Sequence, residues 1–258
     1  MMINLINAAA AGAAAEAPKY GFVAALTEGG PVTWATFSVM VIMFVGTLYI
    51  LFTKLFEQNK VMAQGRAMQT AFWRAPTIAE GMSKLEKNSA YRQIVEDGLR
   101  AQADHGKLAD PVESHDWMHG TMERSQNHIN SKLAGGLSFL ATVGSTAPFV
   151  GLFGTVWGIL TALVKIGAAG QASIDTVAGP VGEALIMTAV GLVVAVPAVM
   201  AFNWLQARNK AISRDLSTFA NDVLGNIMSN GQVRPSATVK AAAAAPARPA
   251  AAAAAPKA

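Results

Sequence analysis

The sequence predicts an all-α integral membrane protein, with three transmembrane helices extended into a helical cytoplasmic region. Three observations carry that prediction. The 258 residues are 52% hydrophobic and only 14% charged, with a mean hydropathy of +0.34, too apolar and too poor in charge for an ordinary water-soluble domain. Three apolar stretches reach the roughly 20 residues that a helix needs to cross a hydrocarbon core. Basic residues crowd the segments on one side of those stretches and are sparse on the other, the asymmetry of a chain oriented in a bilayer.

Composition also excludes. The chain has no cysteine, hence no disulfide framework, thiolate metal site or cysteine nucleophile. Its net charge of +4 is divided by topology and not gathered into a patch with interleaved aromatics, so the lipid bilayer is expected as a partner and nucleic acid is not.

Residues 1–30 read as a periplasmic segment. "MMINLINAAAAGAAAEA" is short and Ala-rich like a signal peptide, but it lacks a basic n-region and a strong apolar core. The first span covers 31–53, with Trp34 and Tyr49 near its ends as interfacial anchors.

The segment 54–132 holds Lys54, Lys60, Arg66, Arg74, Lys84, Lys87, Arg92, Arg100, Lys107, Arg124 and Lys132, which assigns it to the cytoplasm. It is too long for a bare connection and rich in helix formers, so it reads as helical. One helix is expected to continue from the first span to about Arg74, since Pro76 disfavours helix at the residue before it. "TIAE", Thr77 to Glu80, has the form of a capping box that starts the next helix. Tyr91, Ile94, Val95 and Leu99 then recur at helical spacing and need a covering helix. His115 and His119 share a helical face in "HDWMH", and His105 and His128 lie nearby. With Asp116 in place of a zinc-protease glutamate and no third ligand, no metal site is expected, and no cofactor either.

The second span covers 133–164, a short periplasmic loop 165–182 and the third span 183–206, with Trp204 as its inner anchor. Lys19 and Lys165 are the only bases on the outer side, whereas Arg208, Lys210 and Arg214 come after the third span, so the N-terminus is predicted outside and the C-terminus inside. A cytoplasmic helix over 207–232 carries the stripe Leu216, Phe219, Val223, Ile227. The tail 233–258, "VRPSATVKAAAAAPARPAAAAAAPKA", is low-complexity and reads as disordered.

Glu183 is the one carboxylate at the third span. A charged group there costs several kcal/mol, so it either marks the outer end of the span or faces a bundle interior or wet cavity. Counted at about 1.5 Å per residue, Glu183 stands roughly 37 Å from Arg208 and Thr155 roughly 35 Å from Lys132, nearly the same level, with Thr188 a turn and a half further in. Gly154 and Gly158 make a GxxxG, and Gly144, Ala147, Gly151 and Thr155 lie near one helical face, which permits close helix approach. Pro148 and Pro197 each remove an intrahelical hydrogen bond and can bend their helices.

"GSTAPFVGLFGTVWGIL" in the second span and "GPVGEALIMTAVGLVVAVPAVMAFN" in the third, in this order around a short outer loop, resemble the ExbB/TolQ/MotA group of proton-driven inner-membrane motor proteins. The likeness is greatest to its ExbB branch and extends over roughly Tyr20 to Ile227. The resemblance implies a helical subunit of a pentamer whose central pore holds the transmembrane helices of an ExbD-like dimer. Proton flow would drive the two components past each other and, through a TonB-like protein, open outer-membrane transporters for ferric siderophores and similar cargo. By motif, Glu183 matches the family's intramembrane glutamate, and Thr155 and Thr188 match its pore-lining threonines. A TolQ-type subunit of an envelope-integrity system is the alternative, since "PAVMAFN" and "GLFGTVWG" fit both branches. A MotA-type stator has four spans where three are read here. A purely structural scaffold would tolerate Glu183→Gln, and no constellation for enzymatic catalysis stands out.

Overall fold

A computed structural model of the chain describes residues 30–108, 113–169 and 174–235. Within these ranges the side chains at 70, 169, 174–180 and 183 lie outside the description. The expected N-terminal periplasmic segment and the disordered character of the tail beyond 235 therefore fall outside the described residues.

Every regular element among the described residues is helical: α1 (Gly30–Ala71), α2 (Ile78–Ser83), α3 (Ala90–His105), α4 (Ser114–Ala134), α5 (Leu137–Ala169) and α6 (Ile174–Met228). Three helices are long and apolar enough to cross a membrane, and this is physically the natural outcome, because a helix satisfies its own backbone where no water is available. The described chain divides into two compact units, residues 30–60 with 130–212 and residues 61–129 with 213–235.

In the first unit α1, α5 and α6 enclose a core of Met40, Val143, Ala147, Met187, Val194, Ala195 and Ala198, flanked by Phe37, Phe44 and Val190. A second cluster, Leu137, Leu140, Ala201 and Leu205, continues it with Ile50, Leu51 and Phe202. The opposite faces are also apolar. Ile42, Tyr49 and Phe56 on α1, Phe149 and Leu163 on α5, and Leu185 and Met200 on α6 are all exposed, the pattern of helices whose outer surface meets lipid or other membrane helices and not water.

The boundaries of the second and third spans differ from expectation in three places. The sequence predicts one helix over 133–164 for the second span, but α4 ends at Ala134 and α5 starts at Leu137. Gly136 makes the break with φ +83, a conformation open to glycine because it has no Cβ. The predicted outer loop 165–182 is largely helical, with α5 running to Ala169 and α6 beginning at Ile174. The third span and the helix after it are one continuous element, α6, which ends at Met228.

The second unit is built around an aromatic cluster. Phe219 packs edge to face on Phe72 at 5.3 Å, Trp73 at 6.0 Å and Tyr91 at 5.3 Å between ring centroids, geometries that the ring quadrupoles favour. α1 stops at Ala71, before the expected Arg74, and Thr77 caps α2 by accepting from Glu80 N at 3.3 Å, as the "TIAE" pattern predicts. Tyr91, Ile94 and Val95 of α3 and Leu216, Phe219, Val223 and Ile227 of α6 are all buried. Burial, and secondarily the Asp215 carboxylate, push the Tyr91 phenol up to about 12, because both disfavour its anion.

Candidate functional site

The centre of the first unit is a crossing of α5 and α6 at backbone contact. A Cβ added at Gly151 would lie 2.8 Å from Met187 O and 3.1 Å from Gly191 Cα, and one at Gly191 would lie 2.9 Å from Ala147 O. Toward the start of α5, a Cβ at Gly144 would meet Val199 Cγ2 at 2.5 Å; one turn the other way, at Gly154, it would meet Met187 Cβ at 3.0 Å and Thr36 Cγ2 at 3.4 Å. Residues without side chains let the two helices approach this closely. The pairings 144 with 199, 151 with 188 and 191, and 154 with 187 define an antiparallel register.

That register sets the heights of the polar residues. Thr188 stands opposite Gly151, whose Cβ would come within 3.4 Å of Thr188 Cα. Thr155 lies four residues further along α5, about 6 Å, and the Glu183 backbone five residues back along α6, about 7.5 Å in the same direction. Thr155 and Glu183 thus occupy nearly one level, with Thr188 a little over one turn below. Glu183 is helical, but its side chain lies outside the described residues. Thr155 is 8% exposed and its hydroxyl donates to Leu152 O at 2.7 Å. Its donor is committed to its own helix, so what Thr155 offers other groups is an acceptor oxygen. Thr188 is half-buried and Gly158 buried, while Pro148 and Pro197 sit half-buried inside α5 and α6, both of which continue past them.

Two features of this unit escape sequence reading. Gly191 is the backbone partner of Gly151 and Ala147, yet one glycine in an apolar run carries no signal of what it faces. At the other end of the unit, Gln58 Nε2 donates to Leu205 O at 3.0 Å and Asn209 Oδ1 at 2.7 Å, and Asn209 Nδ2 donates to Leu133 O at 3.0 Å. Beside this knot Lys54 Nζ reaches Glu57 at 2.7 Å and Lys132 O at 2.9 Å, and Arg208 stacks 4.9 Å from the Trp204 ring centre while bonding Asn59. Polar side chains at the edge of an apolar helix are the only hint the sequence offers of this knot.

On α4, His115 and His119 stack with ring centres 5.9 Å apart, as their spacing predicts, and His115 Nδ1 lies 3.3 Å from Asp116. Among the described residues no group of three or more His, Asp or Glu side chains is placed to hold a metal ion.

Comparison with known proteins adds an independent line. The family model described as the MotA/TolQ/ExbB proton channel family matches residues 86–218. The biopolymer transport protein ExbB of Xanthomonas campestris pv. campestris is 37% identical over 253 residues, covering 91% of this chain and 100% of the relative. The ExbB protein of Neisseria meningitidis is 32% identical over 202 residues, 76% of this chain and 92% of the relative. The Tol-Pal system protein TolQ of Pseudomonas aeruginosa is 33% identical over 178 residues, 65% of this chain and 77% of the relative.

Proposed function

This chain belongs to the MotA/TolQ/ExbB proton channel family, and on that premise we propose that it is the ExbB-type subunit of a proton-driven motor that energises TonB-dependent import across the outer membrane. One observation carries the choice of branch. The ExbB relatives align over 91% and 76% of the chain, whereas the TolQ relative aligns over 65% at similar identity.

In this reading the protein lies in the bacterial inner membrane with its N-terminus periplasmic and its C-terminus cytoplasmic, which the distribution of Lys and Arg supports. Several copies, five by family resemblance, surround the membrane helices of an ExbD-like partner. Glu183, with Thr155 nearly level with it and Thr188 a turn below, forms the polar stretch of an otherwise apolar passage. Glu183 supplies a carboxylate that can carry charge or hydrogen-bond a polar group of the partner. Thr155 supplies an acceptor oxygen to a protonated group passing at that height. The glycine crossing of α5 on α6 holds these groups at fixed heights, so that proton movement is converted into motion between subunits and not dissipated by sliding within one. A TonB-like protein then delivers the work to the outer membrane.

The test is ferric-siderophore uptake in cells whose only copy carries Glu183→Gln, with abundance checked by immunoblot. Uptake lost at normal abundance supports an essential carboxylate in an import motor. Normal uptake in these cells, together with detergent sensitivity in cells lacking the protein, would transfer the chain to the TolQ branch.

A further inference from the structure

The second unit contains a cavity of about 320 Å³ between the 72–78 connection, α3 and the C-terminal turn. This is at the small end of the roughly 300–1,000 Å³ of pockets that hold a ligand. Its lining combines the apolar Trp73, Pro76 and Leu99 and the buried Phe72 with the polar Thr77 and Arg234, and its rim carries the exposed amide side chains of Gln102 and Asn230. Trp73 is half-buried and its ring is held edge to face against Phe72 at 4.8 Å, so the wall is preformed.

The chain itself is led to this rim. After α6, Asn230 and Gly231 take positive φ and reverse the backbone. Three hydrogen bonds then hold the next residues: Asn226 Nδ2 to Val233 O at 2.6 Å, Val233 N to Ser229 Oγ at 2.8 Å, and Arg234 Nη2 to Pro76 O at 2.6 Å. Arg234 lines the cavity, and the described residues end one position later, at 235.

From there a short run leads to Pro246-Ala247-Arg248-Pro249. This is a P-x-x-P sequence, the composition that favours polyproline II. A polyproline II strand makes no internal hydrogen bonds, so its carbonyls need outside donors, and it recognises aromatic-lined grooves through its proline rings. The cavity offers both kinds of contact.

We propose that Pro246–Pro249 of the tail docks in this cavity of its own chain, its prolines against Trp73 and Leu99 and its carbonyls toward Gln102 and Asn230. The tether favours this occupant over others. Ten residues, 236–245, separate the rim from Pro246; a random-coil tether of that length spans roughly 16–19 Å, which gives a millimolar effective concentration at the rim. A weak contact that would be negligible between separate molecules is occupied under those conditions. The Ala/Pro tail thereby becomes a plug on the second unit, displaceable by a competing proline segment.

The absence of cysteine makes disulfide trapping clean. Gln102→Cys is combined with Ala247→Cys, inside the segment, or with Ala254→Cys, beyond it, in the full chain purified in detergent with two distinguishable tags mixed before oxidation. The expected result is a disulfide within one copy, formed at least about fivefold faster from Ala247→Cys than from Ala254→Cys. Changing Pro246 and Pro249 to Ala should remove that advantage. Equal rates at the two positions, a rate indifferent to the prolines, or disulfides that join only different copies would each overturn the proposal.

Discussion

Gln58 and Asn209 lie 151 positions apart and meet amide to amide at 2.7 Å, with Gln58 0% exposed. Through Leu205 O and Leu133 O the pair ties α1, α4 and α6 together. A buried amide left without its partner costs about 1–3 kcal/mol. Asn209→Ala and Gln58→Ala are each expected to destabilise the protein by about that much, measured by thermal unfolding in detergent. Because the two groups share a network, the double variant should lose less than the sum, with a coupling of about 0.5–3 kcal/mol. Additive losses would show that the two amides act independently.

Glycine substitutions should separate by what the new methyl meets. At Gly151 it meets Met187 O, a backbone atom of the facing helix, at 2.8 Å. Neither helix can move aside without opening the core, so Gly151→Ala is expected to cost about 1–3 kcal/mol. At Gly144 the methyl meets Val199 Cγ2 at 2.5 Å and Val199 N at 3.3 Å, a β-branched side chain stiff at χ1 with backbone beside it, so Gly144→Ala is expected to cost a similar amount. At Gly225, inside α6, nothing lies within 4 Å, so Gly225→Ala should stabilise by up to about 1 kcal/mol through helix propensity alone. The order of melting temperatures, 225 above wild type and both 144 and 151 well below it, checks the register.

The part of the fold that was legible in the sequence is the part the solvent dictates. Span count and helical class are set by runs of apolar residues, because lipid leaves the backbone no other partner, and the capping pattern at Thr77 is decided within four residues. Partners distant in the chain were not legible. Gly151 advertises close approach but does not name Gly191, and Gln58 reads as one more polar residue past the end of a span. The break at Gly136 was hidden because its neighbours Leu133 and Leu137 continue the same apolar face on either side of it. Glu183 stands out as an isolated charge, and its height relative to Thr155 comes from helix geometry, but its side-chain contacts belong to no local rule.

Tyr91 gives the second unit an alkaline signature. Its phenol titrates at about 12 in the folded chain against 10.0 for a free one. The folded state therefore holds its proton longer than the unfolded state does. The stabilisation is complete below pH 10 and is lost as pH rises from 10 through 12, by up to about 2–3 kcal/mol at 1.36 kcal/mol per unit. Tyr91→Phe should flatten unfolding free energy against pH over that window. Asp215→Asn removes the secondary cause, so the folded phenol should titrate lower and the alkaline loss should shrink, by less than in Tyr91→Phe. An unchanged profile in Tyr91→Phe would assign the alkaline loss to other groups.

The proposed role of Thr155 rests on an oxygen and not on a shape, and the two can be separated. Its hydroxyl proton is committed to Leu152 O at 2.7 Å and its side chain is buried. Thr155→Val keeps the branched volume and helix packing but removes the acceptor. Thr155→Ser keeps the acceptor and gives up one methyl, a packing loss of about 1 kcal/mol. A hydrogen bond to a charged or protonated partner contributes about 1.5–3 kcal/mol, which corresponds to roughly 10- to 100-fold in rate. Siderophore uptake at matched abundance should thus fall at least about tenfold in Thr155→Val, while Thr155→Ser stays near wild type. The reverse ranking, with Ser impaired and Val active, would mean that position 155 matters for packing between α5 and its neighbours, and the proton path would then have to be drawn through Glu183 and Thr188 without it.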